Sequence, residues 1–214
     1  MTIGGSMLTD GMIDLKPQLR KAFGAAREWY KGQQKSTNKQ YVVNLDDTKF
    51  QRRFDNATTP IKVDTRSGNG AVDIGRRLEN LDIWYGNCVE MSCLAAWFLT
   101  KAGFRKKLTF CGIDPPGDHV FLTAGEPPKS DRVHRFEQKQ RAFMVVDVWM
   151  NIRCNSSDYP ELVEQKLRKR SGKGQRITSY TQDGKQVIWV PDDDDYIANF
   201  LLSDLSGTPC SQII

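Results

Sequence analysis

The stretch from Trp84 to Gly103 constrains this chain most. A tight turn, Tyr85-Gly86-Asn87, runs into Cys88. From there Met91, Ala95, Phe98 and Ala102 recur on one helical face, with Leu94 and Leu99 flanking it. Gly103 is a natural C-cap where the pattern stops. This is the best helix signal in the sequence, and it sets a cysteine at the helix start. The first turn of a helix presents N–H groups without intrahelical partners, together with the positive end of the dipole.

Other elements fall around that helix. Leu15, Leu19, Ala22, Phe23, Ala26, Trp29 and Tyr30 have helical spacing, and Pro17 suits a first turn, which predicts a helix over about 15–31. Residues 1–10 read as a loose arm. Residues 32–70 are polar and turn-rich, with a short strand at Gln40–Val43, and end in Ser67-Gly68-Asn69-Gly70. A short helix is expected over 71–82. Strands are expected at about 106–113, 118–124 and 142–149. The charged segment 126–140 reads as an exposed hairpin loop. A helix follows over 160–170, then a weak hairpin around Asp183-Gly184 and a last short helix or turn from Tyr196 to Leu202. Helices first and then a run of strands predict an α+β fold. Two units are expected: an N-terminal helical arm and polar wrap over 1–70, which can belong to the same domain, and a catalytic domain over 71–214.

Composition narrows the class. The 214 residues carry 31 Lys and Arg against 26 Asp and Glu, a net charge of +5. That is too mild to argue for nucleic acid, and no nucleic-acid partner is expected. No apolar run reaches the roughly 18 residues that a membrane span needs. The first residues lack a basic region followed by an apolar one, so no Sec-type signal is expected. Five cysteines in a chain of this size imply no disulfide framework. The chain also has only two histidines, His119 and His134.

Those residues come together in a pattern that carries chemistry. Thiol nucleophiles react as thiolates, and a free thiol with its usual pKa near 8.5 is mostly protonated at neutral pH. The helix start after Gly86-Asn87 lowers that pKa, and its N–H groups can hold an oxyanion. Glu90, one turn into the helix, opposes this and is expected to face away or toward substrate. His119 lies on an apolar strand in Gly117-Asp118-His119-Val120-Phe121 and shares a face with Phe121. Asp147 sits inside Phe143-Met144-Val145-Val146-Asp147-Val148-Trp149. A bare carboxylate there would cost on the order of several kcal/mol, so it demands a partner. His119 on a neighbouring antiparallel strand fits that demand, with the other ring nitrogen left for Cys88. Trp149 shares the face and can shield the pair. Alternatively Asp147 caps a local turn or pairs with Arg153, and Asn151 is a substitute orienter. Asp118 is adjacent to His119 and points to the opposite face. His134 lies in the charged loop.

The Tyr-Gly-X-Cys turn, the strand histidine and the Val-Asp-X-Trp strand resemble the transglutaminase-like branch of the papain-like thiol enzymes. The resemblance covers about residues 80–150. It implies a nucleophile at the N-terminus of a central helix packed on an antiparallel sheet. It also implies Cys88 as nucleophile, His119 as base and then acid, and Asp147 as orienter. Trp84 stands where this superfamily places an oxyanion donor, ahead of Gln33 and Gln34, with Gly86 and Asn87 as further turn and oxyanion candidates. Glu90 and Trp149 are the substrate-side candidates. No cofactor is implied. Small bacterial effector and toxin domains of this type resemble the chain more closely than compact or multidomain transglutaminases do. They imply a protein substrate whose Gln or Asn is deamidated. They also imply delivery by a specialised secretion system into a reducing target-cell cytosol, and an immunity or chaperone partner. A cysteine peptidase and a cross-linking transglutaminase share the same three residues. A silent binding module would instead work through the basic stretch from Lys166 to Arg176.

Other signals are weaker. That basic stretch also reads as a solvated helix end followed by a basic loop. Asp192–Asp195 lacks the ligand order of a calcium loop and reads as a turn or helix N-cap. No CxxC pair or His–Cys cluster supports zinc. Ser67-Gly68-Asn69-Gly70 lacks the Lys-Ser/Thr of a phosphate loop.

Overall fold

The computed structural model describes residues 16–29, 39–41, 70–80, 86–113, 119–124, 143–180, 185–202 and 205–209. In chain order the elements are α1 (Lys16–Trp29), β1 (Lys39–Tyr41), α2 (Gly70–Glu79), α3 (Cys88–Lys101), β2 (Leu108–Ile113), β3 (His119–Ala124), β4 (Met144–Asp147) and β5 (Ile152–Asn155). A 3-10 turn (Ser156–Asp158) leads into α4 (Tyr159–Ser171). Then come β6 (Gln175–Tyr180), β7 (Gln186–Trp189), α5 (Asp194–Leu202) and β8 (Leu205–Pro209). The class is α+β. The loop 126–140, the arm 1–10 and the hairpin tip at Asp183-Gly184 lie outside the described residues.

Five strands form one sheet in the order β5-β4-β3-β2-β8, and three form a smaller one, β1-β6-β7. Every neighbouring pair is antiparallel. Helix α3 packs against β3 and β4 on one side and against α1 and α2 on the others. Its residues from Met91 to Ala96 are all buried. Leu19, Ala22 and Ala26 of α1 join the same core. α3 ends as the sequence predicts. Gly103 takes the left-handed conformation (φ +78°), the Phe104 N–H reaches back to the Leu99 carbonyl (3.0 Å), and the Phe104 ring is buried beyond the cap.

The α2–α3 contact is the closest. A Cβ on Gly75 would stand 2.1 Å from the Cys93 carbonyl oxygen, so only glycine lets the backbones meet. At the far end Glu79 clasps α3, accepting from Trp97 Nε1 (2.6 Å) and from Lys101 Nζ (2.8 Å).

Two strands differ from expectation. The strand expected over 142–149 stops at Asp147, and the chain turns back into β5, which the sequence pattern did not reveal. The turn is built by Asp147 Oδ1, which accepts from the Met150 N–H (2.8 Å), and by Asn151 at φ 59°. Asn tolerates that left-handed angle better than most residues. The second difference is β8, which follows α5 and pairs with β2 at the edge of the larger sheet. In the basic stretch Lys166–Arg170 lies in α4, as expected, while Arg176 lies within β6 and not in a loop.

Candidate active site

The first turn of α3 is fixed by a capping box. Asn87, in an ordinary extended conformation (φ −112°, ψ −158°), accepts from the Val89 N–H through Oδ1 (2.9 Å), with the Glu90 backbone also on its side chain. Glu90 Oε2 in turn accepts from the Asn87 N–H (2.8 Å). This corrects two expectations. Glu90 is buried and reaches back to its own helix start, so it is not turned outward. The N–H groups of Val89 and Glu90 are engaged by Asn87, which makes Asn87 a cap and removes those two amides as oxyanion donors. Gly86 is buried beside it. Trp84, Gln33 and Gln34 lie outside the described residues.

Cys88 is the first residue of α3, is 5% exposed and forms no disulfide. One turn along, Ser92 Oγ donates to the Val120 carbonyl (3.2 Å). Residues four apart share a helix face, so this bond ties the Cys88 face of α3 to the residue next to His119. The reason it can form lies in the sheet. The β3–β4 ladder runs only from Leu122↔Val146 to Ala124↔Met144. Because β4 turns away after Asp147, the Val120 carbonyl is left for α3.

His119 and Asp147 meet on neighbouring strands. His119 Nε2 lies 2.7 Å from Asp147 Oδ2, with both side chains almost fully buried. Tyr159, the first residue of α4, donates from its hydroxyl to the same oxygen (2.7 Å). Burial alone would push the Asp147 carboxyl up. The facing His119, with the bonds from His119, Met150 and Tyr159, outweighs burial and holds it below the usual carboxylate range. Asp147 therefore does both things the sequence left as alternatives: Oδ1 caps the turn and Oδ2 holds the histidine. Asn151 is exposed in that turn and cannot serve as the orienter. Asp118 and His134 lie outside the described residues. With Nε2 on Asp147, the second ring nitrogen, Nδ1, is buried and has no hydrogen-bond partner among the described residues.

Aromatic rings enclose the imidazole. Trp149 (centroid separation 4.9 Å), Phe200 of α5 (5.3 Å) and Phe121 (6.0 Å) surround it. Trp149 is 2% exposed, so it walls the pair in instead of facing a substrate openly. Its place is set by Arg170, whose guanidinium lies over the indole (4.6 Å) and whose Nη2 donates to the Trp149 carbonyl (2.8 Å). Arg27 of α1 holds the preceding carbonyl, Val148 O (3.3 Å). Thus part of the basic stretch braces the turn behind Asp147. Arg168 bonds to Glu164 and lies 3.2 Å from Asp194 at the surface.

No family model, curated protein or solved structure matches the chain. Among the described residues no helix is long and apolar enough to cross a membrane. Nor does any group of three His, Cys, Asp or Glu side chains stand ready for a metal ion there.

Tyr159 and Phe200 were not singled out from the sequence, and Arg170 was named only as part of the basic stretch. Tyr159 was hidden by Pro160, which marks a helix start and says nothing of what the preceding phenol touches. Arg170 was read with its charged neighbours, although its partner lies 21 residues back.

Proposed function

We propose that this chain is a cysteine-dependent hydrolase of papain-like, transglutaminase type that acts on side-chain amides of a protein substrate. The observation that carries the proposal is the state of His119. One ring nitrogen is fixed on a buried carboxylate, while the other is buried without a hydrogen-bond partner among the described residues, on the strand that packs against the helix beginning with Cys88. A buried nitrogen acceptor left unmatched costs about 1–3 kcal/mol, and a thiol proton is the natural occupant.

The reaction then runs as follows. Nδ1 takes the Cys88 proton, and the sulfur attacks the amide carbonyl carbon. Asp147 steadies the imidazolium that forms. Nδ1 returns the proton to the amide nitrogen, the C–N bond breaks, ammonia leaves and a thioester remains. Water gives a proton to Nδ1 and its hydroxyl to the thioester carbon, which releases the carboxylic acid and restores the thiol. The outcome is deamidation of Gln or Asn. Preference for deamidation over peptide cleavage or cross-linking rests on analogy with small bacterial effector domains. The same analogy supplies the proposal of a delivered protein acting in a reducing target cell.

The test is the pH dependence of iodoacetamide labelling, read cysteine by cysteine by mass spectrometry. Burial pushes the Cys111 thiol up to about 11. Burial, with Asp158 and Asp147 nearby, pushes Cys154 up to about 12. Both serve as slow internal controls. Labelling of Cys88 should persist well below about pH 8 and be lost in His119→Ala. If Cys88 labels like an ordinary thiol, or ignores His119, the proposal is wrong.

A further inference from the structure

Asp147 receives more than the histidine requires. Its Oδ1 accepts from the Met150 N–H, and its Oδ2 accepts from both His119 Nε2 and Tyr159 Oη. Tyr159 is fully buried, and its ring packs against Phe121 (5.0 Å), which itself stacks near His119. The chain delivers it there deliberately in topological terms. β5 pairs along β4 as far as Met144↔Asn155, Ser156 N–H bonds to the Phe143 carbonyl (2.9 Å), and the 3-10 turn swings α4 back over Asp147.

We propose that Tyr159 is a positioning residue of the candidate reaction: by sharing Asp147 Oδ2 with His119 it fixes the carboxylate plane and, through it, the orientation of the His119 ring. This rests on the hydrolase reading above. The physical reason is rotational. A carboxylate turns about its last torsion in a broad, roughly two-fold well. The Met150 amide pins one oxygen only. Without Tyr159 the imidazole is the one remaining partner of the other oxygen among the described residues, and the two groups can swing together. With Tyr159 the carboxylate is anchored at both oxygens independently of the histidine, so the histidine is aligned by something that does not move with it. Sharing also divides the negative charge of Oδ2 between two donors. That softens the pull on the imidazolium and helps it release its proton to the leaving nitrogen. Burial and the adjacent Asp147 push the Tyr159 hydroxyl well above its ordinary range, which keeps it a neutral donor wherever the carboxylate is ionised.

The test uses the full chain with 15N-labelled histidine. Only two histidines are present, so the His119 ring signals can be assigned by comparison with His134→Gln. In Tyr159→Phe, Oδ2 serves one donor instead of two, the His119 N–H···O bond strengthens, and the Nε2–H proton resonance moves downfield. Fluorotyrosine placed at residue 159 is a stronger donor and should move the same resonance upfield, without removing any contact the fold needs. Against an amide substrate, kcat of Tyr159→Phe should fall about ten-fold with KM unchanged, as expected when a positioned group loses alignment. If the resonance stays put in both variants, Tyr159 merely fills space and the proposal fails. The resonances are read without substrate. Failure to find any amide turnover would therefore overturn the hydrolase reading by itself, while turnover with unmoved resonances would overturn only the role of Tyr159.

Discussion

Gly75 and Gly24 are both helical glycines, and replacing each with alanine should move stability in opposite directions. Alanine gains about 1 kcal/mol over glycine within a helix. At Gly24 in α1 an added Cβ meets nothing within 4 Å among the described residues, so that gain should appear almost whole, about 0.5–1 kcal/mol. At Gly75 the added Cβ lands 2.1 Å from the Cys93 carbonyl oxygen, 2.6 Å from its carbon and 2.7 Å from Trp97 Cβ. Backbone atoms cannot slip aside as a side-chain tip can, so α2 has to retreat by roughly 1.3 Å or more to reach an ordinary contact. Retreat loosens Val72 and Leu78 from the core and stretches the Glu79 clasp on Trp97 and Lys101. A backbone clash this close falls at the upper end of the overpacking range, about 3 kcal/mol, which outweighs the propensity gain of about 1 kcal/mol and leaves a net loss of about 2 kcal/mol. For a chain of this size that is a fall in Tm of about 4–8 °C for Gly75→Ala, against a rise of about 1–4 °C for Gly24→Ala. Urea denaturation and calorimetry read both. If the two variants shift in the same direction, the close α2–α3 approach is not what holds the cysteine helix.

Further outcomes follow from the site. Asp147→Asn should flatten the acid limb of the stability curve. The folded carboxyl lies below its usual range, while the unfolded one takes its proton near 4, so the contribution is complete above about pH 4 and is lost as pH falls through the folded value. Asp73, held down chiefly by its bond from Arg76, keeps some acid dependence in that variant. Arg170→Met removes the stacking on Trp149 and the bond to its carbonyl, and should cost about 1–3 kcal/mol in urea. Arg170→Lys should recover little of it, because an ammonium lacks the planar fork. Ser92→Ala should cost about 1 kcal/mol and slow Cys88 labelling at pH 7, since it unties α3 from Val120; unchanged labelling would show that the tie does not set the Cys88 position.

What the sequence disclosed and what it concealed divide along a physical line. The helix from Cys88 was legible because its signals are local: an apolar face, a polar turn before it and Gly103 after it. Asp147 was legible because a carboxylate among valines is costly and must be answered. Asn87 and Glu90 were equally local, an N-cap with a glutamate three residues on, yet Glu90 was weighed by its charge on the thiol instead of by its reach to the Asn87 amide. β5 escaped because Val148 and Trp149 extend the apolar run past the point where Asp147 bends the chain. The sequence shows the run but not the bond from Met150 that ends it.

The concealed residues share one property: each acts on a group far along the chain, and only the topology chooses that group. Tyr159 reaches Asp147 because β5 and the 3-10 turn fold α4 back over the sheet. Arg170 reaches Trp149 from the last turn of the same helix, and Phe200 reaches His119 from α5, held in line by Tyr196 and Trp189 (ring centroids 6.2 and 5.3 Å apart). The groups that would do chemistry come from elements between Cys88 and Asp147, and three of the groups that aim or enclose them, Tyr159, Arg170 and Phe200, come after residue 158. Truncation of the chain after β5 would therefore leave Cys88, His119 and Asp147 all present. It would remove the second anchor on Oδ2, the brace on the Trp149 turn and one wall of the imidazole cage. On this architecture the placement of His119 and Asp147 rests in part on residues after 158, which share the carboxylate, brace the turn and close the ring cage.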